Sequence, residues 1–166
     1  MPTAAVISDR LWSLAELVRD LKLGVESEDA VRGSCLCGGI QYEYSGEIIR
    51  FSLDHCSRCQ KSTGSAFGAW IVGQRPGFRW IAGEELVRRY VAPVRETPPG
   101  YTRTFCSVCG GSAPYVDESI VGLPAGTLDD KPALHPEMHV FVDRRASWFE
   151  IKDALPQFGS GPPQSN

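Results

Sequence analysis

Residues 33–39 read GSCLCGG, and residues 105–110 read FCSVCG. Each stretch places two cysteines beside glycines, which let the chain turn tightly and bring backbone amides close to sulfur. Two such turns can supply the four corners of a tetrahedral zinc site, in which zinc–sulfur distances are about 2.3 Å. A third pair lies in DHCSRC at residues 54–59 and completes the six cysteines of the chain. The spacing therefore predicts at least one zinc site built from distant parts of the sequence.

Six cysteines cannot fill two four-coordinate zinc sites with sulfur alone. We expect one closed site with four cysteines and a second site that has two cysteines and needs a further ligand. Asp54 lies two residues before Cys56, and its carboxylate oxygen can serve as that ligand. A fourth position then stays open, and a zinc site of that kind can bind and activate a substrate. Spacing alone leaves open which two pairs form the closed site.

The composition is that of an ordinary folded domain of 166 residues, with 42% hydrophobic and 22% charged residues. These fractions exclude disorder, a coiled coil or a collagen-like repeat as a description of the whole chain. The net charge is −3 and the basic residues are scattered, which argues against a nucleic-acid partner. No apolar run approaches the roughly 20 residues of a membrane span, and Asp9, Arg10 and Glu16 are unlike a secretory signal. We expect a cytoplasmic protein, whose clustered thiols bind metal rather than form disulfides.

The chain divides into three predicted parts. Residues 1–30 are expected to form a helical extension and a linker, residues 31–158 the zinc domain, and residues 159–166 a disordered tail. The apolar residues of the extension recur at helical spacing, at Leu11, Leu14, Val18 and Leu21. We expect this helix to pack on the domain, with docking on a partner as the alternative.

The zinc domain is predicted to be mainly β. With 17 glycines and 12 prolines, the chain favours many turns and short strands, and no periodic helical segments separate its apolar runs. Seven strands are predicted, at Ile40–Tyr44, Ile48–Ser52, Phe67–Val72, Phe78–Ala82, Leu86–Val91, Tyr101–Phe105 and Met138–Val142. Loops are predicted at Pro93–Gly100 and Pro124–Pro136.

The cysteine pairs belong to longer motifs. These are GSCxCGG at residues 33–39, HCxxCxKxxGSAF at residues 55–67, FCxxCG at residues 105–110 and WFEIxDxLPQF at residues 148–158. In this order they resemble the glutathione-dependent formaldehyde-activating enzyme family, which includes centromere protein V. The resemblance covers about residues 31–158 and implies a mainly β, zinc-stapled Mss4-like fold of short antiparallel strands.

The resemblance also assigns the cysteines to two zinc sites. The structural zinc site of the family corresponds to Cys35, Cys37, Cys106 and Cys109. The catalytic zinc site of the family is a C-x-C-x-x-C run, whose last two cysteines correspond to Cys56 and Cys59. Asp54 stands where the family has the first cysteine of that run. Because a carboxylate is a harder ligand than a thiolate, we expect zinc to be held less tightly there and to be a stronger Lewis acid.

The resemblance implies an activity that joins glutathione to formaldehyde to give S-hydroxymethylglutathione, so we expect a zinc-dependent carbon–sulfur lyase or thiol-adduct enzyme. Cys56, Cys59 and Asp54 are the predicted catalytic residues. Arg58 and Lys61 lie beside them and are candidates for binding a carboxylate of a glutathione-like thiol, although solvated surface cations look the same in a sequence. The predicted partners are a small thiol and a small aldehyde, and a homo-oligomer is left open.

Two other functions fit parts of the pattern. A non-catalytic zinc-binding module would have a vacant or structural second site and a protein partner on its amino-terminal helix. The aspartate at position 54 favours this alternative. A dithiol redox protein using Cys56 and Cys59 is a weaker alternative, because no thioredoxin-like βαβ pattern surrounds the pair.

Other side chains near the motifs are expected to be structural. His55 is interpreted as a residue that hydrogen-bonds its own loop, and His135 and His139 as residues outside the metal sites. Four aromatic residues are interpreted as packing residues: Trp70, Trp80, Trp148 and Phe149. Residues 62–65 are predicted to form a turn.

Overall fold

The computed structural model describes residues 30–93, 101–130 and 133–162. The predicted amino-terminal helix, most of the loop predicted at Pro93–Gly100 and the last four residues of the predicted tail lie outside the described residues. Within the described ranges the domain is mainly β, as predicted.

Eleven strands occur in the described residues. In chain order they are β1 Val31–Ser34, β2 Gln41–Tyr44, β3 Ile48–Asp54, β4 Gly68–Gln74, β5 Phe78–Ala82, β6 Val87–Ala92, β7 Tyr101–Cys106, β8 Tyr115–Val116, β9 Ile120–Pro124, β10 Met138–Val140 and β11 Gln157–Phe158. One α-helix, α1, spans Ser57–Thr63, and three single-turn 3-10 helices span Glu84–Leu86, Ala125–Thr127 and Val142–Arg144.

Each of the seven predicted strands overlaps an observed strand, while β1, β8, β9 and β11 are absent from the prediction. The turn predicted at residues 62–65 is wrong in its first half, because Ser62 and Thr63 form the last turn of α1. Gly64 ends that helix with a φ of 68°, a left-handed conformation that glycine adopts without steric cost.

The hydrophobic core joins two sheets. The larger sheet has the strand order β11-β10-β3-β4-β9-β8, the smaller has the order β1-β2-β5, and β6 and β7 form a separate pair. Buried side chains from both sheets make up the main core: Tyr42, Tyr44, Ile71, Phe78, Val121 and Leu123. Full burial of one such side chain contributes about 1.5–3 kcal/mol, so this contact between sheets is a major source of stability.

Strand β3 positions the predicted site residues. Phe51 packs against the main core, and side chains alternate between the two faces of a strand. Arg50, Ser52 and Asp54 therefore share the face that points away from this core. β3 pairs with β4 in the antiparallel sense but with β10 in the parallel sense, and β10 is also parallel to β11. The sheet is thus mixed at this edge, where the sequence predicts antiparallel strands.

The carboxyl-terminal segment stays close to this edge of the sheet. Residue 159 is the first of the predicted disordered tail, yet the Phe141 N–H donates to the Ser160 carbonyl at 2.8 Å. The first residues of the predicted tail therefore continue the packing of β11 against the domain.

Candidate metal centres

The first cysteine cluster joins the turn after β1 to the end of β7. Cys35 and Cys37 lie in the turn between β1 and β2, while Cys106 ends β7 and Cys109 follows it. Their four sulfur atoms lie within 4.8 Å of one another. The Cys35–Cys37 and Cys37–Cys106 sulfur distances are 3.5 and 3.9 Å. A tetrahedral zinc with sulfur at 2.3 Å requires edges of about 3.8 Å, so this cluster fits a closed zinc site.

Backbone amides are directed at the sulfurs of this cluster. The Ile40 N–H donates to Cys35 Sγ at 3.3 Å, and the Gly111 N–H donates to Cys109 Sγ at 3.4 Å. The Gly111 amide lowers the pKa of Cys109 to about 6, which favours the thiolate that metals bind. The left-handed conformations of Gly38 and Gly110 form the tight turns that the sequence predicted beside these cysteines.

This cluster also has an apolar core of its own. Cys35 and Cys106 are buried together with Ile40 and Ala113. Trp80 packs against this group and also against the main core, so it has the packing role predicted for it. The cluster therefore ties the three-stranded sheet to the β6–β7 pair.

The second cluster is local in the sequence. Asp54 is the last residue of β3, Cys56 caps the amino end of α1, and Cys59 lies within the first turn of that helix. Their ligand atoms lie within 4.8 Å of one another. The Cys56 N–H donates to Asp54 Oδ1 at 2.8 Å, and the Cys59 N–H donates to Cys56 Sγ at 3.3 Å. The strand end and the helix start thus hold the three side chains that the sequence assigned to this site.

The donor set of the second cluster fits a zinc with three protein ligands. Two thiolates and one carboxylate are ordinary zinc ligands, and three of them leave a fourth position open. The proximity of Cys59 lowers the pKa of Cys56, while Cys56 and burial raise the pKa of Cys59.

A cavity of about 210 Å³ borders the second cluster. Asp54 and Cys59 contribute to its wall. Trp70, Tyr101 and Tyr115 supply aromatic surface, and Arg50 is the one cationic side chain among the described residues that line it. A small molecule in this cavity can reach two of the three candidate metal ligands.

His55 lies between the candidate ligands but points elsewhere. Its ring is fully buried against Phe67 and Phe149, with ring centroids 5.4 and 5.8 Å away. Its Nε2 is 2.8 Å from Nδ1 of His139, which is also buried. His139 Nε2 is in turn 3.1 Å from both carboxylate oxygens of Asp153. The ring of His55 thus contacts His139 on β10 instead of hydrogen-bonding its own loop, which the sequence predicted, while His139 lies outside both cysteine clusters as expected.

The carboxyl-terminal segment holds the ligand loop in several ways. The His55 N–H donates to the Val140 carbonyl at 2.9 Å. The Gln60 side chain donates to the carbonyls of His55 and Arg144, at 2.6 and 2.8 Å. Phe149 packs as predicted, but the interpretation of Trp148 as a packing residue is wrong, since its side chain is 73% exposed. Neighbouring residues of one motif thus have opposite environments.

Arg58 and Lys61 line a different cavity from Asp54 and Cys59. That cleft has a volume of about 450 Å³ and also contains Arg103 and Tyr101. Tyr101 borders both cavities, and its hydroxyl donates to Ser62 Oγ at 2.6 Å. Tyr101 therefore stands between the smaller cavity and the cleft that contains three cations.

A third cavity, of about 610 Å³, lies beside the first cluster. Its lining includes Cys35, Phe67 and Trp70 but none of the three ligands of the second cluster. Its size alone does not make it a reaction site, because chemistry requires reactive groups in the wall.

Sequence reasoning missed Arg50, Tyr101 and the pair His139–Asp153. Arg50 has a partial sequence signal, because it precedes Asp54 by four residues and so shares its face once the strand predicted at Ile48–Ser52 extends to Asp54. The other residues come from distant strands and a loop, and no local pattern joins them to the cysteines. None of the helices in the described ranges is long and apolar enough to cross a membrane.

Comparisons with known proteins place these clusters in a family. A search of curated proteins gives no match. A crystal structure of a Rhodobacter sphaeroides protein, a structural genomics target, matches 61% of this chain and 91% of its own, with 18% identity and a TM-score of 0.48. The family model described as glutathione-dependent formaldehyde-activating enzyme matches residues 30–144, which include both clusters. As the motifs predicted, the chain belongs to the glutathione-dependent formaldehyde-activating enzyme family.

Proposed function

We propose that this protein is a zinc-dependent carbon–sulfur lyase that adds a small thiol, such as glutathione, to a small aldehyde, such as formaldehyde. The observation that carries the proposal is the cluster of Asp54, Cys56 and Cys59 beside a cavity that contains two of them. A three-ligand site next to a cavity is the arrangement of catalytic zinc, whereas structural zinc has four protein ligands. Family membership supports the same chemistry.

The proposed reaction forms one carbon–sulfur bond. The thiol sulfur attacks the carbonyl carbon, the carbonyl π pair moves to oxygen, and the thiol proton leaves sulfur while a proton from solvent adds to that oxygen. The product is a hydroxymethyl thioether, and the reverse reaction breaks the same bond. Zinc bound at this site would supply Lewis acidity, which lowers the pKa of a nearby thiol and favours the nucleophilic thiolate.

The residues of the chain have three roles in this proposal. Asp54, Cys56 and Cys59 hold the metal. Trp70 and Tyr101 form apolar walls that limit the access of water to the reacting atoms. Arg58 and Lys61, in the adjoining cleft, attract the carboxylates of a thiol that extends beyond the cavity.

The test uses ¹³C-formaldehyde and glutathione. Because the two compounds combine without an enzyme, the rate of exchange between free and thiol-bound formaldehyde is measured by NMR against buffer. We expect exchange to be faster with the zinc-loaded protein, and a Cys56→Ser variant to fall to the buffer rate. Exchange at the buffer rate with the wild type, across several thiols and aldehydes, would overturn the proposal.

A non-catalytic zinc-binding module is the second candidate function. The aspartate at position 54 supports it, because a carboxylate is a poorer partner for zinc than the thiolate that the family motif has there. Zinc per chain is measured by elemental analysis on the wild type and on Asp54→Ala, both purified without added metal or chelator. Two zincs falling to about one favour the enzyme, and one zinc in both proteins favours the module.

A further inference from the structure

The small cavity beside the second cluster contains a cation that nothing in the sequence motifs assigns. Arg50, Ser52 and Asp54 follow one another on the same face of β3 and all line this cavity. The cross-strand neighbours of Arg50 and Ser52 on β4, Val72 and Trp70, line it as well. The guanidinium therefore belongs to the same wall as the carboxylate of the candidate metal site.

The Arg50 side chain lacks the partners that a half-buried guanidinium ordinarily has. Its Nε is buried and has no hydrogen-bond partner in the described part of the chain. Burial lowers the pKa of Arg50, against the attraction of the Asp54 carboxylate. Removing a charged group from water is costly unless it is paired, and no hydrogen bond or ion pair of this guanidinium occurs among the described residues. Its outer nitrogens therefore remain as donors for an anionic ligand.

The other cationic side chains near the second cluster do not line this cavity. Arg58 and Lys61 line the adjoining cleft beyond Tyr101. Arg103 lines that cleft too, and its guanidinium lies over the ring of Phe105, 5.5 Å from the centroid. Within the described lining, Arg50 is therefore the side chain that can give the cavity specificity for an anion.

The size of the cavity limits the ligand. Pockets that enclose drug-sized ligands measure roughly 300–1,000 Å³, and this cavity measures about 210 Å³. It has room for a short thiol with one carboxylate, or for that part of a longer thiol. A guanidinium binds a carboxylate through two parallel hydrogen bonds, which suits recognition of a planar group.

We propose that Arg50 binds a carboxylate of the thiol substrate inside the cavity that contains Asp54 and Cys59, and that the protein thereby selects thiols that carry a carboxylate. This inference rests on the proposed function for the identity of the thiol as substrate. It assigns Arg50 a specificity role, and Arg58 and Lys61 a weaker, longer-range attraction.

The test compares two thiols that differ only in the carboxylate. Affinities of 3-mercaptopropionate and 3-mercaptopropionamide for the zinc-loaded protein are measured by isothermal titration calorimetry. We expect the wild type to prefer the acid by about 10- to 100-fold, as for a hydrogen bond between charged groups. Arg50→Gln is expected to abolish the preference, and Arg50→Lys, which keeps the charge without the fork, to retain part of it.

Arg79→Gln is the matched control. It removes the same charge from an exposed arginine on β5 that lines neither the cavity nor the cleft, so the preference should be unchanged. Zinc content and near-ultraviolet circular dichroism establish that each variant is folded. If Arg50→Gln does not fold, the test is whether Arg50→Lys loses part of the preference for the acid. Equal affinity of the wild type for the two thiols, or a preference that survives loss of the Arg50 charge, would overturn the inference.

The formaldehyde exchange assay separates this inference from the proposed function. A preference for the acid that depends on Arg50, combined with exchange at the buffer rate, would support the carboxylate site and reject the enzyme. Faster exchange combined with equal affinity for acid and amide would support the enzyme and reject the role of Arg50.

Discussion

The two candidate metal clusters of this protein both contain cysteines, but the first joins distant parts of the chain and the second is local in the sequence. Cys37 and Cys106 are 69 positions apart, yet their sulfurs lie 3.9 Å apart, so the first cluster exists only in the folded domain. Asp54, Cys56 and Cys59 span six positions at one junction of a strand and a helix. We therefore expect metal binding at the first cluster to be coupled to folding, and changes of ligand at the second cluster to have a smaller effect on the fold.

The two clusters also differ in how completely other side chains enclose them. The first cluster packs against Ile40 and Ala113 and has all four ligands from cysteine. The second has three candidate ligands, and Asp54 and Cys59 border a cavity. We therefore infer that the closed cluster contributes to stability and that the open cluster carries the proposed chemistry.

The largest expected effect is that of Cys106→Ser. This change removes a fully buried ligand of the closed cluster, and the free energy of zinc binding there is part of the free energy of folding. We expect the free energy of unfolding to fall by about 4 kcal/mol or more, measured by chemical denaturation together with zinc content. A variant as stable as the wild type would show that the first cluster has no structural role.

Partial removal of metal tests whether the second cluster releases zinc more easily than the first. Because the second cluster has an open position and borders a cavity, a chelator such as EDTA should take its zinc first. We expect release of about one zinc per chain with unchanged near-ultraviolet circular dichroism, followed by a slower loss that accompanies unfolding. Simultaneous release of both zincs would show that the clusters are equally closed.

Restoring the third cysteine sharpens the difference between the clusters. Asp54→Cys supplies the thiolate that the family motif has at this position, and soft ligands favour zinc. We expect zinc affinity at the second cluster to rise about tenfold or more, measured by competition with a chromophoric chelator. Asp54→Asn is the control of equal size, and its affinity should fall. An unchanged affinity in both variants would exclude residue 54 as a ligand.

A smaller effect is expected from the contacts that hold the ligand loop. His139→Leu leaves the buried Nε2 of His55 without its hydrogen-bond partner. We expect the free energy of unfolding to fall by about 1–3 kcal/mol, with the closed cluster still loaded. Thermal denaturation and zinc content measure the two quantities. Loss of both zincs in this variant would contradict the independence of the clusters.

The smallest expected effect lies away from both clusters. The Arg79 guanidinium donates to Glu43 at 2.8 Å and holds the pKa of that carboxyl below its usual value. A lowered pKa in the folded state means that the contribution to stability is present above the unfolded pKa, about 4.5, and is lost as the pH falls below it. Because the Arg79 side chain is largely exposed, solvent screens the pair, and Glu43→Gln should cost less than about 1 kcal/mol at pH 7 and leave zinc content unchanged.

The acid side of the stability curve checks the direction of this last effect. The difference between Glu43→Gln and the wild type should shrink as the pH falls below 4.5 and should be smaller at high salt. A difference that grows on acidification would reverse the assigned sign.

The sequence predicted the strands that carry enough β-branched and aromatic residues to have a clear pattern. β8 and β11 contain two residues each, and β9 includes glycine and proline, so none of them has a local signal. The helix α1 begins at a cysteine cap and has no apolar stripe, which is why part of it was predicted as a turn. The parallel pairing of β3 with β10 joins segments too far apart for any local pattern to specify.

The candidate ligands were accessible from the sequence, since metal sites require fixed spacings of a few residue types. The residues that surround these ligands could not be predicted from the sequence. Arg58 and Lys61 were predicted from proximity in the chain, but four strands bring Arg50, Trp70, Gly122 and Tyr115 to the cavity wall. Which cation faces a cavity depends on strand order and register, and these are properties of the whole sheet.

The parallel pairing of β3 with β10 also means that the second cluster is completed by a segment that is synthesised later than its cysteines. Cys56 and Cys59 emerge before β10 and Asp153, which hold their loop through His139 and His55 and lie roughly 80 to 95 residues further along the chain. At roughly 5–20 residues per second, the two thiols wait about 5–20 s for these neighbours. An exposed thiol pair is open to oxidation and to addition of an aldehyde. During this interval the thiol pair is exposed to the compound that the finished protein is proposed to consume.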